Sequence, residues 1–562
     1  MPVKTYDAII VGSGITGGWA AKELGEKGLE TLVLEAGRPI DPEKDYAEHV
    51  PTWEKKYRGM GDRKALNKDQ FIQSKSTGVD EWNSKFFVND NENPYTSDPD
   101  KPFLWIRGRQ VGGRSIIWGR QTYRWSDLDF EANLKEGIAV DWPIRYADIA
   151  PWYDHVEDFI GVTGQPEGLS QLPDGKFLPP MEMTCAEVLV KDAIAKHFPG
   201  ERMMTIGRAA ILTKAHQGRL PCHYCGPCSR GCITRSYFST LNSTLPAAMA
   251  TGKVTVRPYS VVHSLILDPK DKNKIIGVQV IDGQTREATE FHARIVFLCA
   301  STLESARLLL NSATQEFPHG LANSSGEVGR NLMDHVMAAG AVGTLAGNED
   351  RNSLGNRPNG IYVPRFRNVK QKHPDFVRGY GFQGGGSRDG WSRGSHEPGI
   401  GAEFKHSLRN PGPWKMVFGG FGECLPNHDN FAELDKEKLD AWGVPTLKIH
   451  AQFGDNERAL LKDMQVTASE MLEASGAKDI QTFDEKAAPG LAIHEMGTAR
   501  MGRDPKTSVL NSHNQAHDLK NLFITDGSCM TSTSCVNPSL TYMALTARAC
   551  DYAVNQMKRG EL

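Results

Sequence analysis

Tyr6-Asp-Ala-Ile-Ile-Val11, followed directly by Gly12-Ser-Gly14-Ile-Thr-Gly17, is the stretch that decides the fold. The short apolar run has the pattern of a buried parallel strand. Gly18-Trp-Ala-Ala-Lys-Glu-Leu24 then reads as a helix with small residues on its inner face, Gly28 stops it, and Thr31-Leu-Val-Leu34 reads as a second strand ending at Glu35. A bare G-x-G-x-x-G says little. Between a strand and a helix, with an acid 23 positions after the first glycine, it reads as a dinucleotide-binding unit. Gly12 permits the tight turn, Gly14 lets the backbone approach a pyrophosphate, and Gly17 lets helix and strand pack closely. The helix N-terminus turns free N–H groups toward the phosphates, while Glu35 accepts from a ribose diol and repels a 2′-phosphate. This unit does not separate NAD from FAD.

Outward from this unit, the bulk numbers narrow the class. With 562 residues, the chain is too long for one compact core, so two domains or one domain with a large insertion are expected. A content of 39% hydrophobic and 24% charged residues with a net charge of −3 is that of a soluble globular protein. That balance gives no general attraction to nucleic acid or to an anionic membrane. No apolar run approaches the roughly 18 residues of a membrane span. The strand at Tyr6 leaves no room for a leader, which makes a cytoplasmic location the expectation.

Four further segments carry a family pattern. Gly108-Arg109-Gln-Val-Gly112-Gly113-Arg-Ser115-Ile-Ile117-Trp118-Gly119 is a glycine-rich loop, and Trp142-Pro-Ile-Arg-Tyr-Ala-Asp-Ile-Ala-Pro-Trp-Tyr153 is an aromatic-rich helix start. Val254 to Val262 and Val296 to Ala300 are β-branched runs that read as strands. The tail combines His494-Glu-Met-Gly497-Thr-Ala-Arg-Met-Gly502, Asn521-Leu-Phe-Ile-Thr-Asp526-Gly527-Ser528 and Cys535-Val-Asn537-Pro538-Ser539-Leu-Thr541. In this order the segments resemble the glucose–methanol–choline (GMC) family of FAD oxidoreductases, most closely its bacterial sugar dehydrogenase and pyranose oxidase branch.

The resemblance implies an α/β fold. It consists of a discontinuous Rossmann-like FAD-binding domain over 1–333 and 491–562, a cysteine-bearing insertion near 215–240, and an α+β substrate domain with an antiparallel sheet over 334–490. It implies FAD held by Gly12, Gly14, Gly17, Glu35, Arg109, Gly112, Gly113, Ser115, Val262, Ala300, Asp526, Gly527, Asn537, Pro538 and Ser539. Ile117 stands where some relatives carry a flavin-linking histidine, so noncovalent FAD is expected. His494 matches the family's catalytic base, and Asn537 matches its partner. An amide cannot take a proton, so Asn537 is expected to hold the substrate hydroxyl while His494, with an ordinary pKa near 6.5, deprotonates it. Pro538 keeps Asn537 out of helical geometry, and the helix that follows aims its N-terminus at the flavin. Asp526 reads either as a ribityl contact or as a plain turn. His335, in Gly329-Arg-Asn-Leu-Met-Asp334-His335, reads as structural, and Gln383, in a glycine-rich stretch, as a sugar contact or a surface loop residue.

Four of the ten cysteines form Cys222-His-Tyr-Cys225-Gly-Pro-Cys228-Ser-Arg-Gly-Cys232. This C-x2-C-x2-C-x3-C spacing equals a bacterial ferredoxin run, with Ile233 in place of its proline. Zinc usually takes paired knuckles from separate segments, and disulfides are disfavoured in a leaderless chain. The subset Cys222, Cys228 and Cys232 resembles the three-cysteine pattern of FAD sugar dehydrogenases that hold a three-iron, four-sulfur cluster. Cys225 is then either a spare or a fourth ligand. An iron–sulfur relay implies a dehydrogenase oxidising a sugar or glycoside alcohol and delivering electrons outward. The resemblance adds a small accessory subunit and a cytochrome, with co-export to the periplasm as the alternative location. An oxygen-using pyranose-type oxidase without a functional cluster is the competing expectation.

Overall fold

The computed structural model describes residues 4–47, 49–54, 62–76, 78–353, 355–395 and 397–562. Strand Thr5–Val11 lies inside a seven-stranded sheet, parallel to Thr31–Leu34 on one side and to Ala288–Leu298 on the other. Val254–Arg257 extends it beyond Thr31–Leu34, and Leu522–Ile524 joins Ala288–Leu298, both in parallel. One sheet thus unites the amino-terminal fingerprint with the carboxy-terminal tail. Ile275–Asp282 and Ser260–Leu267 add an antiparallel pair at the edge. Helix Ile15–Glu26 packs against the long terminal helix Ser539–Lys558 and against Thr244–Ala250. Helices on its faces leave the last four residues of the first strand fully buried, which is why they read as an unbroken apolar run.

The second body is a six-stranded antiparallel sheet in the order Lys478–Asp484, Val336–Leu345, Trp414–Gly422, Tyr380–Arg388, Ile361–Val363 and Thr205–Ile206. Helix Asp455–Ala474 crosses one face with Leu460, Met464, Ala468 and Met471 buried, a single stripe at helical spacing. The helix lies so close that a Cβ on Gly420 would come within 2.4 Å of the Met464 sulfur, and the Met464 side chain would have to move. The expected substrate segment 334–490 supplies five of these strands. The sixth, Thr205–Ile206, and the covering helix Cys185–His197 come from earlier in the chain. Conversely, Asp440 and Val444 of that segment line the cavity beside the fingerprint.

Buried polar groups lock the two bodies together. Arg378 is wholly inaccessible and donates to Glu423 at 3.0 Å, to Glu136 at 2.5 Å and to Asn133 at 2.7 Å. Trp125, Phe130 and Trp142 pack edge-on or tilted with ring centroids 5.3–5.9 Å apart. Aromatic pairs of this kind add about 0.5–1.5 kcal/mol each beyond the area they bury. The aromatic segment starting at Trp142 therefore serves the core, and its helix runs Tyr146–Ile160.

Candidate active site

The glycine turn forms one wall of an elongated cavity. Gly12 has φ +96°, and a Cβ there would meet the Cys299 carbonyl oxygen at 2.4 Å. At Gly17 a Cβ would sit 1.9 Å from the Gly12 oxygen, whereas at Gly14 it would meet nothing within 4 Å. Gly12 and Gly17 are thus demanded by the protein itself, and Gly14 leaves room for a ligand. Gly12, Gly14, Glu35, Arg109, Gly113, Ser115, Val262, Ala300, Asp526 and Gly527 all line this cavity. Gly17 and Gly112 stand behind it. The Gly112 N–H donates to Ser13 Oγ at 2.9 Å, and that hydroxyl donates to Glu35 at 2.6 Å. Asn537, Pro538 and Ser539 are not among the residues lining it; helix Ser539–Lys558 begins there with Pro538 as its cap.

The cavity's polar groups fit a dinucleotide. Glu35 accepts three hydrogen bonds, from Ser13 N–H, Ser13 Oγ and Gly37 N–H, and so keeps one acceptor position for a ribose hydroxyl. Arg107 and Arg109, both in the cavity wall, have buried Nε atoms with no protein partner, which suits an anionic or carbonyl-rich ligand. Asp526 is different. Its carboxylate accepts from Ser528 N–H, Ser528 Oγ, Ser301 N–H and Ser305 Oγ at 2.5–3.0 Å, which fills its acceptor capacity. Of the two readings, the structure favours a turn that ties the tail to helix Thr302–Asn311.

Ile493 and Glu495 reach the cavity, and His494 between them turns the other way, toward His335. Asp334 holds this loop. It accepts from the N–H groups of His335, Gly490, Ala492 and His494 at 2.8–3.2 Å. The two imidazoles meet Nδ1 to Nδ1 at 2.7 Å, nearly perpendicular. On its far side, His335 Nε2 donates to the Ser534 carbonyl at 3.0 Å. A carbonyl can only accept, so His335 carries its proton on Nε2 and its Nδ1 is an acceptor. His494 must then donate from Nδ1, which leaves its Nε2 as the basic nitrogen. His335, expected to be structural or to line the flavin site, fixes the tautomer of the catalytic candidate. Its partner lies 159 positions away, a relation no local pattern reveals.

The ordinary histidine pKa expected for His494 does not hold. Burial, then the neighbouring His335 and the Arg114 charge, drive it well below 6.5, and burial lowers His335 to about 4. Both rings are neutral at physiological pH. Gln383 is not in a surface loop but on strand Tyr380–Arg388, where its Nε2 donates to Asn537 Oδ1 at 2.7 Å. With Oδ1 engaged, the Asn537 amide N–H2 remains to donate to a substrate oxygen.

The cysteine loop lies beside the glycine-rich loop over 108–119. Arg120 Nη2 donates to both the Ile116 carbonyl at 3.0 Å and the Cys228 carbonyl at 2.9 Å, and the Tyr237 hydroxyl also donates to Ile116 at 2.7 Å. Cys222, Cys228 and Cys232 pack with Tyr224 onto one patch of Met181, Ala209, Ile211 and Tyr237, while Cys225 is exposed. Burial pushes the Cys222 thiol up to about 11, and Cys228, Cys232 and Cys225 push it the same way. Among the described residues, no three histidine, cysteine or acidic side chains stand close enough to hold a metal ion.

A parallel sheet ending in a glycine turn, a cleft along it and a buried histidine pair fit an oxidoreductase of the dinucleotide-cofactor class. Profiles of the GMC oxidoreductase family match residues 6–337 and 426–546, and the chain belongs to that family, whose cofactor is FAD. It is similar to 2-methyl-1,2-propanediol dehydrogenase of Mycolicibacterium austroafricanum, with 29% identity covering 97% of this chain and 94% of that one. The large subunit of fructose dehydrogenase from Gluconobacter japonicus is 26% identical over 99% of this chain and 98% of its own. Pyridoxine 4-oxidase from Mesorbium loti shares the fold, with a TM-score of 0.61 at 18% identity over 98% of this chain and 99% of that one. Among the described residues, no helix is long and apolar enough to cross a membrane.

Proposed function

We propose that this chain is a dehydrogenase that oxidises a secondary alcohol of a sugar or glycoside. In our reading, FAD held noncovalently along the glycine turn would supply the hydride acceptor, and Cys222, Cys228 and Cys232 would hold an iron–sulfur centre able to pass electrons to an external acceptor. The observation that carries the oxidation is the fixed tautomer of His494. Its bare Nε2 is free to take a hydroxyl proton, and the Asn537 amide N–H2 is free to donate to a substrate oxygen. The carbon then releases its hydride and the C–O single bond becomes a carbonyl, so one alcohol yields one ketone, one hydride and one proton. The dehydrogenase names of the two similar proteins support transfer outward over direct use of oxygen. For the relay, the support is the cysteine spacing, the shared patch of three of them, and Arg120 Nη2, which donates to the carbonyls of both Cys228 and Ile116. A separate subunit and a cytochrome as acceptor belong to this reading, as does co-export to the periplasm with such a subunit.

The test is anaerobic mixing of purified protein with free sugars, glycosides and aldonates, followed by product analysis. Flavin bleaching with formation of a keto-sugar is expected for at least one of them, and acid precipitation should release free FAD. Failure of every polyol to bleach a fully loaded flavin would refute the substrate class.

A further inference from the structure

Thr531, Ser532, Thr533 and Ser534 follow one another in the chain, and each is 0% exposed. Hydroxyl groups kept from water in succession are unfavourable unless each finds a hydrogen-bond partner. Here each does. Thr531 Oγ1 donates to the Met501 carbonyl at 3.0 Å, and the Thr531 carbonyl accepts from Asn133 Nδ2 at 3.1 Å. Trp142 Nε1 donates to Ser532 Oγ at 2.8 Å. Thr533 Oγ1 accepts from the Cys424 N–H and donates to the Cys424 carbonyl, both at 3.2 Å. Ser534 Oγ donates to Asp129 Oδ1 at 2.7 Å and accepts from the Val536 N–H at 3.4 Å. The second oxygen of Asp129 accepts from the N–H and Oγ of Ser126, the cap of helix Asp127–Phe130. The stretch from Ser126 to Trp142 thus grips three of these four residues.

Ser534 is also a strained residue. Its φ of +55° lies in the left-handed region, which a residue with a side chain keeps only when its surroundings impose it. Ile493, directly before His494, stands at φ +60°, and for a β-branched residue that conformation is rarer still. Left-handed residues therefore precede His494 on one segment and face His335 on the other. Strain of this kind gathers where a backbone group must point in one direction. At Ser534 that group is the carbonyl that accepts from His335 Nε2 at 3.0 Å. Without it, His335 is free to carry its proton on Nδ1. His494 then loses the acceptor for its own Nδ1–H, and its proton is free to sit on Nε2, the nitrogen that must stay bare.

We propose that Ser534, pinned by Asp129, is a positioning residue for the histidine pair, and that its carbonyl selects the tautomer of His335 and, through it, of His494. This rests on the reading of His494 as the base. Neither Asp129 nor Ser534 lines the cavity, so both act only through the imidazoles. The arrangement places protons and does not carry them, because the hydroxyl that Asp129 holds and the carbonyl that His335 meets are separate groups of Ser534.

The test is anaerobic stopped-flow of flavin bleaching by the free sugar, glycoside or aldonate that bleaches the wild-type flavin fastest, with bound FAD measured in every variant. Ser534→Gly accepts the positive φ and lacks the hydroxyl. It should slow bleaching at saturating substrate by roughly tenfold, the lower end of the effect of an outer partner on a functional histidine. In a His335→Phe background the same change should cost less than about twofold more, because the ring it acts through is gone. A merely structural loss would multiply in full. A wild-type rate in Ser534→Gly, or full multiplication with His335→Phe, would overturn the inference. If Ser534→Gly does not retain FAD, Asp129→Asn takes its place, since it keeps the shape and turns one acceptor into a donor; the same pattern is expected. Should both lose FAD, ring-nitrogen NMR of wild-type protein labelled at histidine decides. His335, assigned by its absence in His335→Phe, should be protonated on Nε2 and His494 on Nδ1, and the reverse arrangement would overturn the inference. A wild-type rate in His494→Ala would remove the base reading, and the inference with it. A slow His494→Ala beside an unimpaired Ser534→Gly would strike the inference alone.

Discussion

The histidine pair and the cysteine loop are built on opposite principles. Around His494 and His335 the hydrogen bonds close among themselves: Asp334 holds the loop, Ser534 fixes one ring, and that ring fixes the other. Around the cysteine loop, buried donors of Arg219 and Arg120 have no protein partner. The first region is preorganised for its chemistry by the chain alone. A buried polar group without a partner carries as much information as one with a full set.

The largest expected effect breaks the histidine side of this contrast. His494→Ala should lower kcat by roughly 10²–10⁴, the usual cost of losing a general base, with FAD content unchanged. Steady-state assay with an artificial acceptor checks it, and wild-type turnover would move the base elsewhere. His335→Phe comes next. It removes the acceptor that fixes the His494 tautomer and should cost roughly 10- to 100-fold, the scale on which supporting partners of a functional histidine act. Gln383→Ala frees the Asn537 amide to rotate, and the loss of one hydrogen bond of about 0.5–1.5 kcal/mol should lower kcat/KM roughly twofold to tenfold. Kinetics on the best substrate from the polyol screen would rank the three.

The pH response sharpens the same side. Because burial holds His494 well below 6.5, its base form persists as the medium is acidified. The acid limb of kcat/KM should therefore lie below pH 6.5, and a limb at or above 6.5 would show that the ring is solvated. Stability follows the same sign. The unfolded chain binds protons near 6.5 that the folded histidines refuse, so stability present at neutral pH is lost as pH falls below 6.5 and on through about 4, where His335 titrates. Thermal melts between pH 7 and 5 would detect it.

How much was legible in the sequence depended on whether the cause was local. Gly12 and Gly17 are forced by backbone contacts within the strand–turn–helix unit or just across it, so the fingerprint could be read directly. The antiparallel sheet over 334–490 came from the family resemblance and was found, but Thr205–Ile206 is only two residues long and has no period to detect. His335 sat in a recognisable segment, yet its function lies in a contact that only folding creates. Gln383 was singled out because glycines surround it; those glycines are needed for strand packing, as at Gly384, where a Cβ would lie 1.9 Å from the Val417 oxygen. At Asp526, which lines the cavity, four internal donors occupy the carboxylate, a set of contacts that only folding creates. The missing partners of Arg219 could not have been read at all, since a missing contact leaves no trace in a sequence.

The proposed function separates substrate oxidation at His494 from electron delivery through the cysteine loop. Anaerobic stopped-flow of flavin bleaching, paired with iron analysis and acceptor reduction, tests it on two variants that retain FAD. His494→Ala should keep its iron and lose rapid bleaching. Cys228→Ser should bleach at the wild-type rate, lose its iron and fail to reduce a protein acceptor. A Cys228→Ser protein without iron that still reduces that acceptor at the wild-type rate would contradict the account.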